Sequence, residues 1–427
     1  MKKVLIITYY WPPAGGSGVQ RWLKFVKYFR DFNIEPIVYT IANPNYPIID
    51  DTLINEIPKD IEILRKPILE PNNFLSYFGK KKTESSGFLN PNPSFIGKII
   101  QYIRANFFVP DARVFWVNPS VKYLKKYLSK NKVEVIITTG PPHSLHLIGL
   151  KLKQQLKVKW IADFRDPWTE IDYFHQLPFS NRILKKHHKL EEEVLKTADN
   201  VMVVGNTMKD NYRKFIKNIS VITNGFDDEF TNKNNEVQLD SKFSITHVGL
   251  LNADRNSKTL WKVLSEICRE NVQFKKDLEV KLIGKVDISV TQKILEFGLT
   301  KKVNIINYIT HNEVVQFQKK AQVLLLLVNN VPSAKGILTG KIFEYLNAKR
   351  PVLAVAPLDG DLAEILKSTQ AGFVVDFEDE IGLKNQLLKL YKEFKKGSLK
   401  IHSKNIEQFH RRELTKKVSE LIEQITE

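Results

Sequence analysis

A chain of 427 residues with 43% apolar and 26% charged residues is long enough for two or three domains with separate cores. No run approaches eighteen uninterrupted apolar residues, so no transmembrane helix is expected. The single cysteine, Cys268, excludes an internal disulfide framework and a cysteine-based zinc site, and suits a reducing cytoplasm. The net charge of +18 is spread along the whole chain, with no basic tail and no known nucleic-acid module. It therefore points to an anionic membrane surface and phosphorylated substrates rather than nucleic acid, with a plain solvated lysine-rich surface as the alternative.

Short β-branched runs alternate with helical patterns, which predicts α/β units and mainly parallel sheets. Met1-Lys2-Lys3 and VLIITYYW superficially resemble a signal peptide. The apolar run is short, has no small-residue cleavage site and leads into a Pro/Gly loop, so it reads as a buried first strand. Strands are expected at Val4–Tyr9, Pro36–Thr40, Ile61–Leu64, Val133–Thr138, Val158–Asp163, Asn200–Val204 and Ser220–Thr223. After the first, Trp22, Phe25, Val26 and Phe29 fall at helical spacing, with Arg21, Lys24, Lys27 and Arg30 on the other face.

An insert over about residues 66–130 breaks this rhythm. It holds the loop-like Gly79–Gly87 and PNPS, then Phe95–Phe108 with Ile96, Ile99, Ile100, Ile103 and Phe107, punctuated by Lys98 and Arg104. Such a stripe fits a membrane surface or a lipid-acceptor groove, but core packing of an inserted helix is the preferred reading. The polar TNKNNEVQLD reads as an interdomain linker. Beyond it, strands are expected at Phe243–Val248, Leu278–Ile283, Val303–Asn307, Val323–Val328, Val352–Ala356 and Phe373–Val375. The division is a first domain at 1–230, a linker at 231–242, a second domain at 243–402 and a helix at 403–427. Two Rossmann-like halves predict a cleft between the carboxyl ends of two sheets, where ligands bind in such folds.

Six segments carry chemistry. Trp11-Pro12-Pro13-Ala14-Gly15-Gly16-Ser17-Gly18 opens the first helix, where glycines and a helix N-terminus favour an anion. Its spacing is not G-x-G-x-x-G and no acidic residue ends the second strand, so it is a poor dinucleotide fingerprint. In Gly140-Pro141-Pro142-His143-Ser144-Leu145-His146 the histidines lack partnering metal ligands, and His146 is a candidate substrate contact or a packing residue. Asp163-Phe164-Arg165-Asp166 ends a strand with two carboxylates around an arginine, either a structural clasp or a sugar or acceptor contact. Asn224-Gly225 is a turn just before the linker. His247-Val248-Gly249, with Arg255 and Lys258 at the next helix start, suits a diphosphate. Gly340 and Lys341 open another helix, with Glu344 one turn on, able to accept both hydroxyls of a ribose.

Taken together, PPAGGSGVQR, IADFRDPW, ITNGFD, HVGLL with Arg255, and GKIFEYLNAKRPVLAV resemble the retaining GT-B glycosyltransferases of the family-4, or "group 1", type, over nearly the whole chain. The last motif looks like the form common in bacterial polysaccharide and lipopolysaccharide transferases. The resemblance implies that Glu344 binds the nucleotide ribose, that Lys341 and Arg255 neutralise the diphosphate, and that the loop of Gly15 and Gly16 sits by the reacting centre. It also implies a nucleotide-sugar donor and a glycan or lipid-linked acceptor. The cations at the donor site suit a reaction without a metal cofactor, and the charge with the aromatic-basic insert suits a cytoplasmic protein at the inner face of the membrane. The pattern departs at the first glutamate of the family's E-x7-E, where Gly336 stands after Lys335, and at Leu250, where a basic residue usually follows the glycine. A nucleotide-sugar 2-epimerase of the same architecture, or a membrane-associated scaffold with a degenerate site, are the rival readings.

Overall fold

The computed structural model describes all residues except 69–93, 228–236 and 308. The Gly79–Gly87 loop, most of PNPS and the first half of the linker lie outside the described residues.

The chain folds as two units, Met1–Asn224 with Arg411–Glu427, and Gly225–His410. In the first, seven strands run β1 (Lys2–Ile7), β2 (Ile34–Ile41), β3 (Glu62–Lys66), β4 (Val135–Gly140), β5 (Lys159–Phe164), β6 (Asn200–Val203) and β7 (Ile219–Val221). Their order is β3-β2-β1-β4-β5-β6-β7, with every neighbouring pair parallel. A parallel sheet is covered on both faces, so its strands are apolar throughout. Val4, Leu5, Ile6 and Ile7 are all fully buried.

In the second unit β8 (Phe243–Val248), β9 (Leu278–Ile283), β10 (Val303–Ile306), β11 (Val323–Leu327), β12 (Val352–Val355) and β13 (Gly372–Val375) form a second parallel sheet in the order β10-β9-β8-β11-β12-β13. Two separate apolar clusters pack on it. Both are doubly wound α/β units, whose strand order reverses between β1 and β4 and between β8 and β11. Ligands bind at such reversals, because loops leave the sheet there in opposite directions.

Three expectations change. The C-terminal helix begins at Arg411, not 403, and belongs to the first unit. Its stripe of Leu414, Val418, Leu421 and Ile422 completes that core, while Arg411 Nη1 donates to the Gln20 carbonyl of the first helix, Ser17–Tyr28, at 3.0 Å. The units divide at 224/225, so the residues around Phe226 pair within the second unit, where Phe226 N donates to Phe409 O at 3.1 Å. On the first helix, Arg21 and Lys24 are 4% exposed rather than solvated, each drawn inward by a carboxylate, Asp163 and Glu56 respectively.

The stripe in the insert forms a helix over Phe95–Phe107, capped by Ser94, and core packing is not its role. None of its residues is buried, and Phe95 and Phe107 are 78% and 73% exposed. It is fastened at its C-terminal end, where Asn106 donates to Pro178 O at 2.8 Å and accepts from Ser180 N at 2.8 Å.

Candidate functional site

In the first unit the loops at the carboxyl ends of the strands are tied into one polar framework. Gly16 caps the first helix with φ of 84°, a left-handed backbone that favours glycine. The preceding turn is strapped down by Gly15 N to Ile48 O and Asp50 N to Pro13 O, both 2.9 Å.

The clasp expected inside Asp163-Phe164-Arg165 is built with other partners. Asp163, fully buried, accepts from Arg21 Nη2 at 2.9 Å, Trp22 Nε1 at 2.7 Å and the Thr139 hydroxyl at 2.8 Å. Arg21 also donates to the Ile222 and Thr223 carbonyls, at 2.8 and 2.7 Å, which ties the end of β7 to β5. Arg165 points elsewhere, donating to Gly18 O at 2.9 Å and to Pro141 O. Asp163 is thus a structural anchor rather than a substrate contact, because its carboxylate is enclosed and fully bonded. Asp166 is exposed at the loop and stays available to a ligand.

His146 is likewise in the core. The Thr138 hydroxyl accepts from Trp160 Nε1 at 2.9 Å and is hydrogen-bonded to His146 Nδ1, also at 2.9 Å. The ring stacks on Phe164 at 4.3 Å, and burial lowers its pKa to about 3, so it is a neutral packing residue. His143 stacks on Trp168 at 5.1 Å. Two residues with no motif signal hold the same loop from the helix Asn181–Thr197. Glu191 accepts from Tyr212 at 2.7 Å and from the Thr169 hydroxyl at 2.5 Å, and His187 Nδ1 accepts from Trp168 Nε1 at 3.0 Å. Their spacing of four residues puts both on one helical face.

The second unit brings three of the predicted donor residues, Gly249, Arg255 and Lys341, together. Gly249, at the end of β8, has φ of 99°, and a Cβ there would stand 2.6 Å from Lys341 Cε. Glycine is needed both for the backbone and for the lysine to lie across it. Lys341 Nζ is 3.4 Å from Leu250 O and 3.4 Å from His247 Nε2, and among the described residues it has no ion pair. Arg255 Nη1 donates to the same Leu250 carbonyl at 3.1 Å, and its Nε donates to Asn329 Oδ1 at 2.6 Å.

Two cations therefore converge on one neutral oxygen. Burial first, and then the neighbouring Arg255, lower the Lys341 pKa to about 7, while Glu344 works in the opposite direction. The pair lies at the start of the helix Lys341–Ala348, which Gly340 caps with ordinary helical φ of −58°. A Cβ on Gly340 would meet nothing within 4 Å, so nothing in the fold demands glycine there, and its bareness leaves the helix N-terminus approachable. Glu344, one turn on, accepts from the buried Gln318 at 2.9 Å. Tyr345 locks the helix to the sheet, accepting from Val248 N at 3.0 Å and donating to Leu325 O at 3.3 Å.

Lys258 opens the next helix, Lys258–Glu270, and is exposed. With Arg255 it lines a pocket of about 700 Å³ that Lys341 and Glu344 do not reach. At the departure from the family pattern, Gly336 ends a short turn and Lys335 pairs with Asp359 at 2.6 Å. His247 stood in the strand-end motif without a role of its own, and Gln318, on a helix outside every motif, was missed. Their side-chain contacts with Lys341 and Glu344 reveal them.

Residues 84–230 match the family model described as Glycosyltransferase Family 4, and residues 242–393 that described as Glycosyl transferases group 1. The chain thus carries one domain of each kind, in that order. No curated protein matches it in sequence. Solved structures share its fold. Sucrose-phosphate synthase from Thermosynechococcus elongatus is 15% identical, with 100% of this chain and 99% of that chain covered and a TM-score of 0.62. A variant of S. aureus TarM, solved with Fondaparinux, alpha-GlcNAc-glycerol and UDP, is 11% identical over 100% and 99% of the two chains, with a TM-score of 0.60. UDP-GlcNAc 2-epimerase from Methanocaldococcus jannaschii is 15% identical over 99% and 99%, with a TM-score of 0.52. The fold is the two-domain GT-B arrangement of Rossmann-like sheets expected from the sequence.

Proposed function

We propose that the chain is a glycosyltransferase that moves a hexosyl unit from a nucleoside-diphosphate sugar to a hydroxyl of a glycan or lipid-linked acceptor, with retention of configuration. One observation carries the reading: Lys341 and Arg255 converge on the Leu250 carbonyl at a helix N-terminus, with Glu344 one turn away. Lys341 makes its two contacts at 3.4 Å, and a lysine and an arginine beside a helix N-terminus suit the charged oxygens of a diphosphate. Departure of the nucleoside diphosphate builds negative charge at that point, which Arg255, Lys341 and the helix N-terminus stabilise. Their charge does the work a metal cofactor does elsewhere. Retention follows if the acceptor attacks from the face that the leaving group vacates, with no nucleophile from the protein. Gly15, Gly16, Arg165 and Asp166 frame the acceptor and sugar side.

The test is incubation of the intact protein with UDP-, GDP- and dTDP-sugars while nucleotide release is followed. Release lost on Lys341→Ala supports the proposal. A free epimerised sugar in the absence of acceptor identifies the epimerase instead, although both domain models are those of glycosyltransferases. Absence of any nucleotide binding in calorimetry overturns both and leaves the scaffold.

The Phe95–Phe107 helix supports an acceptor side at the inner membrane surface. Its exposed Phe95, Ile96, Ile99, Ile103 and Phe107 form an apolar patch of a kind that marks interaction surfaces. Lys98 and Arg104 supply positive charge beside it. No helix among the described residues is long and apolar enough to cross a membrane. Binding to vesicles containing phosphatidylglycerol is expected to drop at least roughly ten-fold in Ile99→Asp/Ile103→Asp, while phosphatidylcholine vesicles bind weakly in either case. Equal binding of the variant and the unaltered chain removes this assignment.

A further inference from the structure

We propose that His247 is the positioning residue for Lys341, and that the pair couples binding of a nucleoside diphosphate to the uptake of one proton. The inference rests on the donor-site reading above and adds to it a buried histidine and a proton.

The geometry begins at the switch point of the second sheet. Backbone pairing between β8 and β11 runs through Ile245–Val323 and Thr246–Leu324 and then ends. Beyond it the strands part, and side chains take over. Fully buried His247 spans the gap with Nδ1 3.1 Å from Leu325 O. A carbonyl can only accept, so Nδ1 carries the ring proton and Nε2 presents its lone pair. That lone pair faces Lys341 Nζ at 3.4 Å. Burial, and the nearby Lys341 and Arg255 charges, lower the His247 pKa well below its usual value, so the ring stays an acceptor and does not compete for the proton.

Lys341 is therefore guided but weakly satisfied. Its two contacts are both long, and the groups that face it are His247 from β8, Leu250 O and Arg255 from the following loop, and Glu344 from its own helix. Gln318, from the helix His311–Lys320, holds Glu344 and is neutral. With its pKa lowered to about 7, the free amine is partly deprotonated near neutrality. A diphosphate beside it favours the ammonium, so the amine takes a proton from solvent as the anion binds. His247 remains neutral throughout. The sign follows: the free protein already holds the proton below about pH 6 and lacks it above about pH 8, so uptake grows as pH rises.

The experiment is calorimetry of the intact chain with UDP, GDP and dTDP in buffers of different ionisation heat. For the nucleotide that binds, uptake is expected to rise from about half a proton at pH 7 to nearly one at about pH 8.5, with affinity weakening about ten-fold per unit above pH 7. Lys341→Met removes the uptake. His247→Leu, which fills the space but cannot accept, is expected to weaken binding roughly ten-fold, and His247→Gln, whose amide oxygen can, to restore most of it. Uptake that persists in Lys341→Met, or His247→Leu binding like the unaltered chain, overturns the proposal. A nucleotide bound with no proton uptake overturns it while leaving the donor site intact. Failure of all three nucleotides to bind takes the donor-site reading down with it. Should His247→Leu not fold, the comparison of the unaltered chain with Lys341→Met still decides the proton.

Discussion

Replacing Lys341 by alanine is expected to lower turnover by roughly 100-fold or more, while replacing Glu344 by glutamine raises KM by about ten-fold and changes turnover little. The contrast follows from when each contact gains strength. Charge on the leaving diphosphate grows as the glycosidic bond breaks, so an ammonium beside it is worth more in the transition state than in the bound donor, and donors of this kind are worth about 10²–10³ in rate. The ribose hydroxyls do not change during the reaction. A carboxylate that accepts from them binds ground and transition states alike, which moves KM and leaves turnover alone. Lys341→Arg is not a conservative control. The lysine chain lies across Gly249, close enough that a single added Cβ would stand 2.6 Å from it, and the wider guanidinium has no room to follow that path. Steady-state kinetics of the variants decide the matter. A Glu344→Gln variant that loses turnover as heavily as Lys341→Ala contradicts the division of labour.

The second large effect is on stability and lies in the first unit. Asp163→Ala is expected to cost about 3–5 kcal/mol, because it leaves the Arg21 guanidinium buried without its charge partner. For a unit of this size that lowers its melting transition by roughly 10 °C. Arg21 is 4% exposed and Asp163 is fully buried, so water cannot replace the lost partner. Removing both charges together, as in Arg21→Met/Asp163→Leu, is expected to be milder than either single change, since no orphaned ion remains. Differential scanning calorimetry of the two single variants and the double variant is the check. A double variant as unstable as the sum of the singles shows that shape, rather than charge pairing, holds the loops.

His146 makes a useful contrast with Asp163. Each stood out in the sequence as a candidate for substrate contact, and each is fully buried. Their motifs are real, because they mark loops at the carboxyl ends of β4 and β5. The residues that reach out of those loops are different ones, Asp166 among them, and a motif does not say which of its side chains turns inward.

The sequence by itself determined the strands and the fold class. All thirteen expected strands are present, their ends shifted by at most two residues or so, because a parallel strand covered on both faces must be apolar along its length and leaves an unbroken local record. It also marked Gly249, Arg255, Gly340, Lys341 and Glu344, since a glycine at a strand end and a cation at a helix start are local signals. Only the tertiary structure decided what is set by partners distant in the chain. Arg21 pairs with Asp163 across 142 residues, the last helix closes the first unit's core, and His247 stands under Lys341 across 94. The outward face of Phe95–Phe107 is of the same kind, for its periodicity fits core and surface alike. Local pattern records what one segment needs to bury or bond, and the choice of partner is made by the strand order that brings distant segments together.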